Sequence, residues 1–459
     1  MDRSAPAAPH IVLVGGGAGG LELVTRLGDA VGRRRRASVT LVERDRTHLW
    51  KPLLHQAAAG TLGVDEAELD HLAQSSRHHY AYRLGAMDGL DRTRRLLRIA
   101  PTRADDGREL IPRRELHYDL LAVAIGSCSD DFGIRGVGAH AHRLDTPTDA
   151  ARLQRRLLDA HIAACTQPGP LRASQLEVVI VGGGATGVEL AAELRRATRA
   201  LAAYGLDRDG RAHGLHITVL EAAPRILAPL PPRLAQAASA ELQRLGVSVR
   251  TGQRVDEVRA DGVATADGAF HPAEIVVWAA GIRAPAVLRE LDGLELDSSG
   301  RLVVHDTLQT TLDPAVFAFG DCAACPWPGH DTSVPPRAQA AQQQAALLAR
   351  QLPRRLAGQA LLHFTYRDFG SLVSLGASTT VGALHPGAGG VAGGIGGTLR
   401  RLARRLLPGT LYVQGRLARL AYWMLSRRHL GTLHGWRRAL WLTLAQRIAH
   451  RVGPRVKLH

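Results

Sequence analysis

Two stretches of the chain, "HIVLVGGGAGGLELVTRL" at residues 10–27 and "VVIVGGGATGVELAAEL" at residues 178–194, make the same demand on the backbone. Each is a short apolar run closed by glycines and followed at once by a helix-favouring segment. The glycines are Gly15, Gly17 and Gly20 in the first copy and Gly182, Gly184 and Gly187 in the second. That order predicts strand, tight turn, helix. A Cβ in the turn would block the bend and hold the backbone away from a pyrophosphate, which rests on the free N–H groups and positive dipole end of the helix. A second apolar strand follows each copy and reaches a carboxylate, Glu43 in "SVTLVERD" and Glu221 in "HITVLEAAP", placed to accept from a ribose hydroxyl. The glycines and glutamates stand further apart than the roughly 20 residues of the minimal pattern. We read the excess as surface insertions, one of them carrying Arg33 to Arg36.

At 459 residues, 45% hydrophobic and 22% charged, the chain can build two or three well-cored domains. Its four cysteines, Cys128, Cys165, Cys322 and Cys325, are too few for a disulfide framework, and "CAAC" at 322–325 has no second pair to complete a metal site. A reduced compartment and no metal are expected. The first apolar run is the glycine-turn strand itself, so no secretory leader is expected. Residues 369–399 carry no Asp, Glu, Lys or Arg, but Pro386 and "GAGGVAGGIGG" break the stretch, so no spanning helix is expected there. The net charge of +16 has a location. From Arg400 to the end stand thirteen arginines and Lys457 without one acidic residue, and the rest is close to neutral.

Two nucleotide sites in one chain suggest a tightly held flavin and an exchangeable nicotinamide. "YDLLAVAIGS" (residues 118–127) and "IVVWAAGIR" (residues 275–283) are apolar strands that end in small-residue turns at Gly126 and Gly281. "TLQTTLDPAVFAFGDCA" (residues 307–323) ends a buried strand at Gly320 and Asp321, where a carboxylate reaches a ribityl hydroxyl. In this order the motifs resemble the flavin-dependent pyridine-nucleotide reductases over nearly the whole chain. The resemblance implies an α/β protein with two Rossmann-type dinucleotide-binding domains of the glutathione-reductase fold, the first interrupted by the second, plus a C-terminal amphipathic membrane-binding segment. The expected parts are 8–150 and 291–355 for FAD, 175–290 for NADH, and 360–459 for the C-terminal region. Disulfide reductases of this fold carry a redox Cys pair just after the first unit. Here "HLWKPLLHQAAAGTL" at 48–62 has none, so electrons do not leave through a dithiol on that side. Cys322 and Cys325 read as incidental small residues.

"VPPRAQAAQQQAALLARQL" at 334–352 is a proline-led helix start that puts Gln339 and Gln343 one turn apart, on one face. With "HFTYRDFGSLVSLG" at 363–376 and the closing "GPRVKLH", it is similar to the bacterial type II NADH:quinone oxidoreductases, single-subunit respiratory enzymes that pump no protons. That resemblance implies FAD held by Gly15, Gly17, Gly20, Glu43, Lys51, Gly126, Gly320 and Asp321. It implies NADH, preferred over NADPH, held by Gly182, Gly184, Gly187, Glu221 and Gly281. It also implies a quinone pocket bordered by Gln339 and Gln343, whose neutral amides suit a carbonyl. Glu189 falls where the family places a glutamate at the nicotinamide side of the flavin. A carboxylate favoured by the helix dipole reads the same in sequence.

In "GRLARLAYWMLSRR" (residues 415–428) Leu417, Leu420, Ala421, Met424 and Leu425 recur at helical spacing, with Arg416, Arg419, Arg427 and Arg428 mostly off the stripe. "WRRALWLTLAQRIAHR" (residues 436–451) repeats the pattern with Trp441, Leu444, Ala445 and Ile448. Helices so short and charged are expected to lie on an anionic membrane surface, which the family resemblance implies is the cytoplasmic face of the inner (plasma) membrane. The competing use of the stripe is packing on the protein's own core. A nucleic-acid partner is not expected, because a wide apolar stripe serves nothing on a duplex. Two alternatives stand beside the respiratory reading: a soluble NAD(P)H-dependent flavin reductase serving a small iron–sulfur protein, and a non-enzymatic, nucleic-acid-binding redox sensor. The sequence leaves open which quinone is used and whether the chain is a monomer or a homodimer.

Overall fold

The computed structural model describes residues 8–104, 106–202, 214–376, 379–385 and 411–452. The chain divides into two compact units. One comprises Met1–Trp50, Glu68–Cys128 and Arg283–Asp368, and the other Lys51–Ala67, Ser129–Ile282 and Phe369–His459.

The first unit is built on a parallel five-stranded sheet in the order Val316–Ala318, Leu120–Val123, His10–Val14, Ser38–Glu43, Ala81–Leu84. The four strands other than the edge strand Ala81–Leu84 are covered on both faces, so they read as continuous apolar runs rather than alternating ones. Ile11, Leu13, Leu41, Val123 and Phe317 are fully buried. The glycine turn leads into the Ala18–Leu27 helix, and the Ala338–Leu356 helix packs closely against it. Arg33 to Arg36 follow a wider π-type turn, Gly28–Gly32, and are exposed, as the insertion reading expects.

The second unit repeats the plan. Its parallel sheet runs Ala141–Arg143, Ile275–Trp278, Glu177–Val181, His216–Glu221, Val247–Thr251. The helix after its glycine turn is Ala185–Ala202, and the Pro147–Thr166 helix opens with a reciprocal cap in which Thr146 accepts from the Asp149 N–H and Asp149 accepts from the Thr146 N–H. A separate antiparallel sheet, Gly370–Ser374, Thr380–Leu384 and Leu411–Gln414, carries the helices Arg416–His434 and Trp436–Val452. No described helix is long and apolar enough to cross a membrane. The glycine-rich stretch with Pro386, the arginines from Arg400 to Arg405, Lys457 and the closing "GPRVKLH" lie outside the described residues.

One buried amide holds a large part of the first unit in place. Gln351 is fully buried; its Nε2 donates to the carbonyls of Thr307 (2.8 Å) and Leu362 (2.9 Å), and its Oε1 accepts from the Leu362 N–H at 2.7 Å. Gln351→Leu removes all three bonds from partly buried backbone groups, and each such group left unpaired costs about 1–3 kcal/mol. We therefore expect chemical denaturation of this variant to show a loss of about 3 kcal/mol or more, among the larger single-residue effects.

Candidate nucleotide and quinone sites

The two glycine turns share one geometry. Gly15 and Gly182 take φ of +101° and +112°, and a Cβ there would lie 2.4 Å from the Ala124 carbonyl oxygen and 2.8 Å from that of Ala279. At Gly20 and Gly187 a Cβ would stand 1.9 Å and 2.0 Å from the carbonyl oxygens of Gly15 and Gly182, so the helix sits on its turn only without a side chain. At Gly17 and Gly184 it would instead project into open space. That open cradle stands at the start of a helix whose first N–H groups lack internal partners, a setting that suits a pyrophosphate.

Each strand-end glutamate braces its own turn. The Glu43 carboxylate accepts from the Gly16 N–H and from those of Arg44 (2.7 Å) and Asp45 (3.1 Å). Glu221 accepts from Gly183 and Ala223, both at 2.7 Å. A carboxylate offers about four lone-pair positions, so each keeps acceptor capacity for a ribose hydroxyl.

Around the first turn, the carboxyl ends of parallel strands bring Gly15, Gly126 and Gly320 to one edge of the sheet. Ser127 Oγ donates to Asp321 Oδ2 at 2.9 Å, and the Gly320 N–H donates to the buried Gln344 Oε1 at 2.8 Å. The glutamine helix is thus tied directly to the proposed flavin turn. Cys322 and Cys325 are both buried, and burial pushes their thiols up to about 11 and about 12. Neither forms the thiolate that redox exchange needs, which fits their reading as small packing residues.

Gln339 and Gln343 share the expected helix face, and their amides meet one segment. Gln339 Nε2 donates to Asp368 Oδ1 at 3.2 Å, beside Arg337 Nη1, which also donates to that carboxylate at 3.2–3.3 Å. Gln343 clamps the Arg367 backbone, donating to its carbonyl at 2.9 Å and accepting from its N–H at 3.1 Å.

In the second unit, Lys51 Nζ lies 3.7 Å from Asp145 Oδ1, and Gly281 turns with φ of +66°. Glu189 is buried and joins a cluster that sequence spacing did not reveal. Its Oε1 accepts from the Ser374 N–H at 2.9 Å, and its Oε2 lies 3.5 Å from His55 Nδ1. One turn on, the buried Glu193 accepts from Thr61 Oγ1 at 2.9 Å. Burial pushes Glu189 up to about 8 and His55 down to about 4. Burial thus favours the neutral form of both side chains despite their ion-pair spacing. Burial and these two glutamates also raise Tyr422, whose buried hydroxyl has no hydrogen-bond partner among the described residues.

A family model for the pyridine nucleotide-disulphide oxidoreductases matches residues 9–345. Over 462 aligned residues the chain is 37% identical to the type II NADH:quinone oxidoreductase of Haemophilus influenzae, covering 98% of this chain and all of that one. The chain belongs to the type II NADH:quinone oxidoreductases. The Staphylococcus aureus enzyme of the same name is 28% identical over 379 residues, 81% of this chain and 89% of its own. The fold matches that of NDH2 from Plasmodium falciparum in complex with NADH, with a TM-score of 0.79 over 98% of this chain and 99% of that one at 17% identity. The enzyme is an FAD-dependent oxidoreductase that uses NADH and reduces quinone. When bound, FAD would supply the redox chemistry, as acceptor of a hydride from NADH and as donor of two electrons to quinone, whose reduction also takes up two protons, one of them from solvent. The two open cradles with their braced turns fit two dinucleotides.

The neutral Glu189 gives the type II enzyme a pH signature. Its folded pKa lies above the unfolded value, so between about pH 4.5 and about pH 8 the native state holds the extra proton. Stability from this group is fully present below the lower value and is lost as pH rises through the upper one. Wild type should therefore lose melting temperature relative to Glu189→Gln across that window, and parallel curves for the two proteins would contradict the assignment.

Proposed function

We propose how this chain's residues divide the established reaction. FAD lies on the first turn, with its pyrophosphate at Gly17, its adenosine ribose at Glu43 and its ribityl chain at Asp321. Gly126 completes its contacts within that unit. NADH lies on the second turn, at Gly184 and Glu221, with Gly281 beside its far half. Glu221 favours NADH over NADPH because a carboxylate accepts from a 2′-hydroxyl and repels a 2′-phosphate. Glu189 serves at the nicotinamide side as a neutral acid. The Ser374 N–H occupies Oε1, which leaves Oε2, facing His55 Nδ1, to carry the proton.

Gln339 and Gln343 border the quinone. The observation that carries this reading is the bond from Gly320 to Gln344, which fixes the same helix on the flavin turn. The amide of Gln343 already pairs with Arg367, so it shapes the wall of the pocket, while Gln339 sits within the Arg337–Asp368 network. Gln343→Leu should slow reoxidation of the reduced flavin by quinone at least about tenfold, the effect of about 1.4 kcal/mol. Flavin reduction by NADH should stay within about twofold, a fraction of that energy. Stopped-flow absorbance reports the two halves separately, and equal slowing of both would reduce the helix to a support for the flavin.

The C-terminal helices make the membrane contact, on the cytoplasmic face of the inner membrane. Leu420, Met424, Leu440, Trp441 and Leu444 are exposed, Trp441 by 71%, and Arg419, Arg437 and Arg438 are exposed among them. Apolar side chains in water beside cations, in a segment without acid, suit the boundary between anionic headgroups and acyl chains. Sedimentation with anionic vesicles tests this. Binding should be strong at low salt and weaken severalfold as the screening length falls from about 10 Å at 0.1 M toward about 3 Å at 1 M. Replacing Leu440 and Trp441 together by Asp should weaken it further without unfolding the protein. Full-length enzyme that ignores such vesicles at low salt would end the proposal.

A further inference from the structure

Phe132 is an exposed aromatic ring in a backbone conformation that bulky residues avoid. It is 60% exposed, with φ of +49°. A residue of this size in the left-handed region is an outlier that the surrounding structure must enforce. The enforcement is visible. Phe132 N–H donates to Asp130 Oδ1 at 3.0 Å, and Gly133 N–H donates to Asp131 Oδ1 at 3.3 Å. Asp131 is held by Arg143 Nη2 at 2.8 Å, and the buried Trp278 indole donates to the Asp130 carbonyl at 2.7 Å. Arg143 and Trp278 are paired across neighbouring strands of the parallel sheet. The loop is therefore clamped to the strand ends, and the ring it presents lies on bare glycine. A Cβ at Gly281 would come within 2.3 Å of Phe132 Cζ.

The sheet topology says what passes that ring. In open α/β sheets a ligand sits at the carboxyl ends of the strands where the winding reverses. Here the chain moves from Glu177–Val181 to His216–Glu221 on one side and later returns to Ile275–Trp278 on the other, so the reversal lies between Gly182 and Ala279. Glu221 stands on the first side, which receives the adenosine half of the nucleotide. The other half must cross toward Ala279–Gly281, where Phe132 waits.

We propose that Phe132 is the packing surface for the nicotinamide half of NADH and positions that half after the pyrophosphate has docked. This deepens the reading of the second glycine turn and rests on it. A flat apolar ring in water, preorganised by a loop that does not need it for burial, gains contact only when a second flat group covers it.

The test uses the full-length FAD-loaded enzyme and two probes, NAD+ and ADP, the second lacking the nicotinamide half. Phe132→Ala should weaken NAD+ about two- to tenfold, the range expected for loss of one aromatic packing partner, and leave ADP unchanged. KM for NADH should rise in step while KM for quinone stays constant. Phe132→Gly, which suits the left-handed backbone, should show the same loss of NAD+ binding with a melting temperature no lower than that of wild type. Unchanged NAD+ affinity in both variants, or equal weakening of ADP, overturns the proposal. Glu221→Gln checks the underlying reading separately. It should weaken both probes, and ADP that is indifferent to it would displace Glu221 from the adenosine end whatever Phe132 does.

Discussion

A carboxylate at the end of one strand, bonded to a glycine N–H at the end of its neighbour, is the contact on which both nucleotide units depend. A turn of three consecutive glycines is entropically loose, because glycine populates more backbone states than any other residue. Glu43 reaches Gly16, and Glu221 reaches Gly183, removing that freedom at the middle glycine of each turn. With the turn fixed, the helix start has one position, and its free N–H groups converge on one point in space. The same oxygens that order the turn remain within reach of a ribose. A single residue therefore builds the cradle and, in the proposed reading, also reads one of its occupants.

The glutamine helix shows a division of labour by face. Gln344 and Gln351, seven residues apart, point inward and hold backbone at Gly320, Thr307 and Leu362. Gln339 and Gln343 point to the Arg367–Asp368 segment. Identical side chains on one helix thus serve the fold and, in the proposed reading, the pocket. Small alanines between them let the helix pack closely on the glycine-led helix beneath the flavin turn.

What could be read from the sequence was what local spacing dictates. The glycine triads, the apolar strands and their terminal glutamates act within one strand–turn–helix unit, so their pattern is written contiguously. The exposed tail residues Leu420, Met424, Trp441 and Leu444 followed from helical periodicity in the same way. The residues that were missed come together only in the folded chain. Gln344 meets Gly320 across 24 residues, Ser127 meets Asp321 across 194, and Ser374 meets Glu189 across 185. His55, Thr61 and Glu193 fall in this class, and so does Phe132, whose unusual backbone depends on clamps from two other strands. Of the rest of the expected stripe, Ala421 is half-buried and Ala445 exposed, while the side chains of Leu417, Leu425 and Ile448 lie outside the described residues.

The neutral state of Glu189 has a thermodynamic partner. Five residues from Gly184, it lies about 7 Å along the helix from the proposed pyrophosphate position. Ionised there, it would oppose a bound anion; protonated, it leaves the positive end of the helix uncancelled. Anion binding and proton retention at this carboxyl then favour each other, and linkage makes the effect mutual. With a dinucleotide on the second turn as proposed, its arrival in alkaline solution would draw a proton from the buffer and its departure would give one back. Nucleotide exchange in this unit would then be coupled to proton exchange before any electron moved.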